Sequence, residues 1–173
     1  DSHIKGKQFE HFVKWFLEND LEWSTQVDQV WLWDDYPDRW GPDCGVDLVF
    51  NHKNGDVWAV QAKCYSPENP ITKDDINTFL TESNGSEIDR RLLIASTDNI
   101  SPNGKRTIDR QEKPVTCFLY SDFDASAIEY PDHISKLNTA KRKKRPTPKP
   151  HQLEAVDAVE KGFNDAERGQ LIM

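Results

Sequence analysis

The sequence predicts an α/β domain with a mixed central sheet of four or five strands and helices on both faces. Three observations support this fold class: an amphipathic helix near the start, a hairpin pattern around Asn54-Gly55, and a capped helix leading into an apolar run at 91–96. A short apolar run after a helix is typical of a buried strand, and strand–helix–strand order favours parallel pairing. At 173 residues the chain is long enough for one core of normal size.

Residues 5–19 are predicted to form the first helix. Phe9, Phe12, Val13, Phe16 and Leu17 recur with helical spacing and form one apolar stripe. Glu10 lies beside the stripe rather than opposite it. It is either a solvated acid favoured by the helix dipole or a residue of a functional site.

Asn54-Gly55 between two apolar runs indicates a β-hairpin. If the loop has three residues, with Gly55 in the left-handed region, the two residue numbers of each cross-strand pair add up to 108. Phe50 then faces Trp58, Leu48 faces Val60 and Val46 faces Ala62, which makes one face apolar. Asp47 faces Gln61 on the other face, with Lys63 one step along. A slip of one residue would exchange the faces, so the apolar set selects this register.

Residues 25–33 are predicted to form a strand, followed by a loop to residue 43 that is rich in acids and aromatics. Trp31, Trp33, Tyr36 and Trp40 are interpreted as core with a lid over it, and stacking on a nucleic-acid base is the alternative.

After the hairpin, Thr72 and Asp75 form a capping-box pattern for a helix with Ile76, Phe79 and Leu80 on its buried side. Asn84-Gly85 ends that helix, and a strand follows at 91–96. Ser101-Pro102 begins another helix, and residues 115–120 are predicted to form the last strand. Residues 121–135 are loop-like, with room for a short closing helix.

The predicted hairpin register brings a carboxylate, an amide and an ammonium group together. Cross-strand neighbours have Cβ atoms about 4.5–5.5 Å apart. The oxygens of Asp47 and Gln61 are hard ligands suited to Mg²⁺, and Lys63 can orient a water molecule and offset phosphoryl charge. An ordinary hairpin with a surface ion pair is the alternative interpretation.

This stretch resembles the PD-(D/E)xK nucleases, and within them the Mrr-like restriction endonucleases, which carry Asp on one strand and Q-x-K on the next. Asp47 and Gln61-Ala62-Lys63 match that pattern. Asp43, Gly45, Val46 and Leu48 match the lead-in to the Asp, and Gly6, Phe9 and Glu10 match a G-x-x-F-E helix near the start. The resemblance spans roughly residues 5–130.

The resemblance implies a restriction-endonuclease-like fold and metal-assisted hydrolysis of double-stranded DNA. Asp47 and Gln61 would hold Mg²⁺, with Mn²⁺ as a substitute, and Asp43 or Glu10 would add a ligand. Lys63 would position the attacking water. Gln61 stands where most of the superfamily has Glu, which removes one negative charge from the metal site.

The net charge of −8 is unevenly distributed along the chain. Residues 1–130 carry 13 basic and 24 acidic residues, a net charge of −11, whereas residues 131–173 carry +3. Such an acidic domain will not hold DNA tightly by counter-ion release, so it needs a metal ion and a tethered motor or reader. The candidate phosphate contacts are the basic residues of the helix after Ser101 and of the run before Pro146: Lys105, Arg106, Arg110, Lys141, Arg142, Lys143, Lys144 and Arg145.

The tail is predicted as a Pro-rich basic linker followed by a helix over 152–163 and an apolar strand at 169–173. Pro150-His151-Gln152 resembles the opening of superfamily-2 helicases, in which the Gln reads the adenine of ATP. No G-x-x-x-x-G-K-[ST] motif is present, so ATP would serve only a longer, motor-bearing protein. We therefore predict a nuclease domain at 1–136, a linker at 137–149 and the start of a helicase domain at 150–173.

Nuclease, linker and helicase in this order resemble the single-polypeptide type I restriction enzymes. That resemblance implies a methyltransferase further along, pairing of two nuclease domains during cleavage, and a bacterial cytoplasmic location. A catalytically inactive DNA-binding or docking adaptor is the alternative function. The chain lacks an initiator Met and shows no membrane span. Its three cysteines and five histidines are too scattered for a zinc site.

Overall fold

The computed structural model describes residues 2–42, 45–144 and 147–165. The chain divides into two units, residues 1–142 and residues 143–173. The helices are α1 (Ser2–Asn19), α2 (Trp23–Gln26), α3 (Lys73–Glu82), α4 (Pro102–Asp109), α5 (Tyr120–Ala125) and α6 (Pro150–Asp165). The strands are β1 (Val27–Leu32), β2 (Leu48–His52), β3 (Val57–Lys63), β4 (Arg90–Ala95), β5 (Val115–Phe118), β6 (Ile128–Glu129) and β7 (Lys141–Arg142). Short 3₁₀ turns lie at Trp33–Asp35 and Ile134–Thr139.

Strands β1 to β5 form one mixed sheet in the order β1-β2-β3-β4-β5. The first three strands pair antiparallel, and β4 and β5 continue the sheet parallel to β3. The predicted mixed α/β sheet of four or five strands is confirmed. Because β1, β3, β4 and β5 all run in the same direction, their carboxyl ends lie at one edge of the sheet.

Helices cover both faces of the sheet, as predicted. On one face Val13, Phe16 and Leu17 of α1 pack with Phe123 of α5 against alternate residues of β2, β3 and β4. On the other face α3 and α4 supply a second core cluster that includes Phe79 and Ile108. The apolar stripe read from the sequence of α1 is thus its buried face.

The hairpin pairs in the predicted register from His52 to Leu48. Leu48 faces Val60, Phe50 faces Trp58, and the His52 N–H donates to the Asp56 carbonyl at 2.8 Å. Gly55 has φ +98°, as a left-handed loop residue should.

The prediction was wrong beyond Leu48, because the ladder does not continue to Val46 and Ala62. The Asp47 N–H donates to the Val60 carbonyl at 2.9 Å, an acceptor that a regular ladder gives to Leu48. Val46 then packs in the core cluster of Val49 and Ala59, on the face opposite the one predicted. The chain therefore has one extra residue here that the ladder cannot pair, and it bends as at a β-bulge.

The predicted helix caps are confirmed, and several boundaries differ. Thr72 and Asp75 form a reciprocal capping box, and the Ser101 hydroxyl accepts the Gly104 N–H. The strand predicted at 25–33 is shorter because α2 occupies 23–26 and Trp33 begins a 3₁₀ turn. The strand predicted at 115–120 ends at Phe118, since Leu119 is the N-cap of α5.

Residues 137–142, expected at the start of the linker, belong instead to the first unit. They complete the second 3₁₀ turn and form β7, in which Lys141 and Arg142 pair with Glu129 and Ile128 of β6. In the second unit α6 covers the helix predicted at 152–163. The predicted strand at 169–173 lies outside the described residues. Within the described ranges, no helix combines the length and apolar character needed to cross a bilayer.

Arg91 is a fully buried cation that ties α3 to the sheet. Its guanidinium donates to the Leu80 carbonyl at 2.8 Å, to Ser83 Oγ at 2.9 Å and to the Lys113 carbonyl at 3.1 Å, with further bonds to Asn84 and Gln111. These neutral acceptors include the Leu80 carbonyl near the carboxyl end of α3, where the helix dipole favours a cation.

We expect Arg91→Ala to lower the free energy of unfolding by about 3 kcal/mol, because it leaves buried acceptors without donors. Urea denaturation measures this loss. Arg90→Ala is the matched control, since Arg90 is half-exposed and pairs with Asp56 at the surface, whose side chain is 28% exposed. An equal effect of the two substitutions would contradict the structural role given to Arg91.

Candidate active site

The residues of the predicted metal site gather at the edge formed by the carboxyl ends of the parallel strands. Lys63 is the last residue of β3, and Asp47 directly precedes β2, which runs antiparallel to β3. The end of β1 reaches the same edge, where the Trp33 N–H donates to the Asp47 carbonyl at 2.9 Å. Polar groups of three strands therefore converge where the sheet stops.

The Asp47 carboxylate replaces a backbone acceptor of the β2–β3 ladder. In the predicted register the Ala62 N–H would bond to the Val46 carbonyl. The strand has turned away at that point, and Asp47 Oδ2 accepts this N–H at 2.7 Å. The bond holds the carboxylate against β3 between Gln61 and Lys63.

Burial raises the pKa of the Asp47 carboxyl to about 6. The Ala62 N–H, Lys63 and Lys7 oppose this shift, whereas the negative charge of Glu10 adds to it. These charges therefore act on one another at short range. A half-buried carboxylate that is costly to ionise is suited to bind a cation, because a bound cation offsets the cost.

Gln61 is 3% exposed and has one free oxygen. Its Nε2 donates to the Gly45 carbonyl at 3.0 Å, which fixes the orientation of the amide. Among the described residues, Oε1 has no hydrogen-bond partner although it is buried. A buried acceptor without a donor is costly unless a ligand satisfies it.

Gly45 positions that amide through a conformation and a contact that favour glycine. Its φ is +70°, in the left-handed region. A Cβ added there would lie 3.1 Å from Thr78 Cγ2 and 3.3 Å from the backbone nitrogen of Phe79 in α3. The loop before Asp47 is thus pressed against α3, and its carbonyl is set toward Gln61.

Helix α1 supplies the opposite wall of an acidic cleft next to Asp47. Glu10 points into it, 13% exposed, and its Oε2 lies 3.0 Å from Lys7 Nζ. The cleft has a volume of about 430 Å³ and is also lined by His3, Gly6, His11 and Asp34. Glu10 therefore lies in the cleft next to Asp47, paired with Lys7, and its role as a metal ligand stays a prediction.

Sequence reasoning missed Lys7 and the structural role of Gly45. The three-residue spacing from Lys7 to Glu10 was a usable signal, since residues three apart meet on a helix. Nothing in the sequence indicated that Gly45 would touch α3.

The remaining predicted residues lie in other parts of the two units or outside the described residues. Lys105, Arg106 and Arg110 are exposed on and just after α4, and Lys105 pairs with Asp109 at 3.5 Å. Lys141 and Arg142 lie in β7, and Lys143 and Lys144 are exposed beyond it. Gln152 Oε1 accepts the Lys149 N–H at 2.8 Å. Asp43 and Arg145 lie outside the described residues.

The aromatic residues after β1 pack with one another. Trp33 is 5% exposed, lies 4.6 Å from the Trp40 ring and donates its indole N–H to the Gly41 carbonyl. Trp40 donates its own N–H to Glu82. This packing agrees with the interpretation of the cluster as core with a lid.

The donor set at the edge fits a hard divalent cation. The Asp47 carboxylate and Gln61 Oε1, which lacks a partner within the described ranges, are oxygen ligands of the kind that Mg²⁺ takes, and Glu10 can add a third. In the described part of the chain, no group of three or more His, Cys, Asp or Glu side chains stands ready to hold a metal. The candidate set depends instead on an amide oxygen.

The family of the chain follows from comparison with known proteins. Residues 18–140 match the model of the family Mrr_cat_2, described as restriction endonuclease, which covers more than half of the chain. The chain belongs to this family of restriction endonucleases. The match includes Asp47, Gln61 and Lys63, and it begins near the end of α1, after Gly6, Phe9 and Glu10. No curated protein sequence matches the chain.

Solved structures agree with the family. The ATP-dependent Type ISP restriction-modification enzyme LlaBIII bound to DNA is 31% identical, with a TM-score of 0.76 over 99% of this chain. The chain spans 11% of the length of that enzyme. MspJI restriction endonuclease in complex with a 27-mer oligonucleotide is 18% identical, with a TM-score of 0.50 over 68% of this chain and 26% of its own, and shares the fold.

The raised pKa of Asp47 predicts how stability depends on pH. Between about pH 4 and 6 the folded state binds more protons than the unfolded state, so the free energy of unfolding falls as pH rises through that window. We expect metal-free Asp47→Asn to be more stable than wild type at pH 8 by about 2 kcal/mol, with no difference below about pH 4.

Urea denaturation in EDTA at several pH values measures this difference. Asp34→Asn is the control, because Asp34 lines the same cleft but is 70% exposed. If Asp47→Asn destabilised the protein at pH 8, the carboxylate would not carry the cost of ionisation assigned to it.

Gly45→Ala and Gly55→Ala separate conformational strain from close contact. Both glycines have positive φ, but a Cβ at Gly55 would meet nothing within 4 Å. We expect Gly55→Ala to cost about 1 kcal/mol for the backbone conformation, and Gly45→Ala to cost clearly more. Equal losses in thermal or urea unfolding would contradict the tight contact with α3.

Proposed function

We propose that the chain is a metal-dependent endonuclease domain that hydrolyses phosphodiester bonds of double-stranded DNA. The observation that carries the proposal is the pair formed by two oxygen groups: the Asp47 carboxylate on the Ala62 N–H, and the buried Gln61 Oε1, which has no partner among the described residues. Two oxygen ligands held at one strand end, with Lys63 beside them, suit metal-assisted hydrolysis. Membership of a restriction endonuclease family supports the same chemistry.

Each residue has a defined task in the proposed reaction. Mg²⁺, or Mn²⁺ in its place, would polarise the scissile phosphate and lower the pKa of a bound water. Asp47 and Gln61 would hold the ion, and Asp43 or Glu10 would complete the ligand set. Lys63 would orient the attacking water and stabilise the negative charge that develops on the phosphoryl oxygens.

Glu10 would have a second role in the proposed site, because it also forms an ion pair with Lys7. The 3.0 Å pair keeps a cation at the mouth of the cleft, where a DNA phosphate would enter. Lys7 therefore offsets the acidic surroundings that would otherwise repel the DNA backbone.

We further propose that the domain acts as part of an ATP-dependent restriction-modification enzyme in the bacterial cytoplasm. Likeness to a Type ISP enzyme over 99% of the chain supports this architecture. Helicase and methyltransferase domains would then be the partners, with Gln152 reading ATP and two nuclease domains meeting for cleavage. Delivery by a motor suits a domain whose first 130 residues carry a net charge of −11. Exposed Lys105, Arg106 and Arg110 would contact phosphates.

DNA cleavage with Mg²⁺ by the full-length enzyme tests the function. We expect Asp47→Asn and Lys63→Met each to lower cleavage at least about a hundredfold, while ATPase activity persists. Lys73→Met, an exposed lysine at the start of α3, should cleave normally.

Metal binding separates the nuclease from the inactive adaptor. Titration of the chain with Mn²⁺ should show binding that Asp47→Asn abolishes. The adaptor would be favoured, and the nuclease rejected, by two results together. The chain would bind DNA but no metal, and the full-length Asp47→Asn and Lys63→Met enzymes would cleave DNA as well as wild type.

A further inference from the structure

A second cavity, of about 420 Å³, lies beside α1 on the side away from the acidic cleft. We call it the aromatic pocket. Its apolar wall includes Phe9, Phe12, Phe123 and Tyr130, and Tyr120 and Lys5 stand at its rim. Residues of α1 at positions 5, 8, 9 and 12 face this pocket, and positions 3, 6, 7, 10 and 11 face the cleft. The two sites share one helix.

The aromatic pocket lies outside the carboxyl ends of the parallel strands. Cys64 follows β3, Ser96 follows β4 and Tyr120 comes two residues after β5, and all three line it. In open sheets with parallel strands, ligands bind in the crevice outside these strand ends. Lys63, the last residue of β3, directly precedes Cys64, so the pocket continues the edge on which the candidate active site lies.

The walls of the pocket are suited to a flat aromatic ligand. The ring centroids of Phe12 and Phe123 lie 5.4 Å apart, and those of Phe12 and Tyr130 lie 5.8 Å apart. These rings pack against one another and form a rigid floor. Tyr120 is 56% exposed, which leaves much of its side chain open to a ligand. Aromatic faces of this kind stack on bases of single-stranded nucleic acid.

We propose that the aromatic pocket receives one unstacked nucleobase of a DNA strand whose backbone lies along the same sheet edge. This inference rests on the proposed function, since the phosphate at Lys63 brings the strand to the pocket. Lys5 at the rim supplies a cation for the adjoining phosphate, and rim residue Asp132 is already paired with Lys136 at 3.0 Å. A cavity of this volume is large enough for a base with part of its sugar.

The occupant is tested by comparing two strands with the same phosphates. An oligothymidylate and an abasic strand of equal length are titrated against the chain at low salt in EDTA, so that no cleavage occurs. Wild type should bind the strand with bases more tightly. Tyr120→Ala should weaken that binding about fivefold or more and leave the abasic strand unaffected.

Two further variants make the result specific. Phe163→Ala removes a ring of similar exposure, 59%, from α6 and should change neither affinity. Leu137→Trp fills the pocket without removing Tyr120, and should reproduce the selective loss.

Each outcome decides between the pocket and the active site. The proposal would be overturned if wild type bound the two strands equally or not measurably. It would also be overturned if Tyr120→Ala bound the strand with bases as tightly as wild type. The apolar wall would then be left to a protein segment. Selective loss in Tyr120→Ala without any cleavage by the full-length enzyme would reject the nuclease alone. Cleavage by the full-length enzyme with no base preference would reject the pocket alone.

Discussion

The candidate active site depends on the hydrogen bond from the Ala62 N–H to the Asp47 carboxylate. A regular ladder would satisfy that N–H with a backbone carbonyl, and the acid would then be one more side chain on a strand face. Because the strand turns at Asp47, the carboxylate takes the place of the carbonyl and is held in the sheet edge. The same turn places Val46 in the core, so the packing of this apolar side chain stabilises the break in the β2–β3 ladder.

This arrangement has an electrostatic cost that is consistent with a binding function. Ionising Asp47 in the folded protein is unfavourable, since burial raises its pKa and Glu10 lies nearby. Gln61 adds a buried oxygen without a donor among the described residues. Strain and unsatisfied groups of this kind collect at functional sites, where a ligand relieves them. The rest of the domain compensates with two continuous core clusters and with the buried hydrogen-bond network of Arg91.

One sheet edge organises both proposed sites. Because β1, β3, β4 and β5 are parallel, residues at or just after their carboxyl ends line up in order: Trp33, Lys63, Ser96 and Tyr120. Helix α1 lies along this edge and presents Lys7 and Glu10 to one side and Lys5 and Phe9 to the other. A DNA strand that follows the edge would therefore meet a charged cleft and an aromatic pocket in succession.

Local sequence patterns were enough to predict the fold class, the helix caps and the hairpin register as far as Leu48. Those features depend on local periodicity, on the Thr72–Asp75 and Ser101 caps and on the Asn54-Gly55 loop, all of which act over a few residues. The break of the ladder at Asp47 and the close contact of Gly45 with Thr78 could be seen in the folded chain alone. The Asp47–Ala62 bond joins residues 15 positions apart, and the Gly45–Thr78 contact joins residues more than 30 positions apart. Contacts at these separations leave no trace in local sequence patterns.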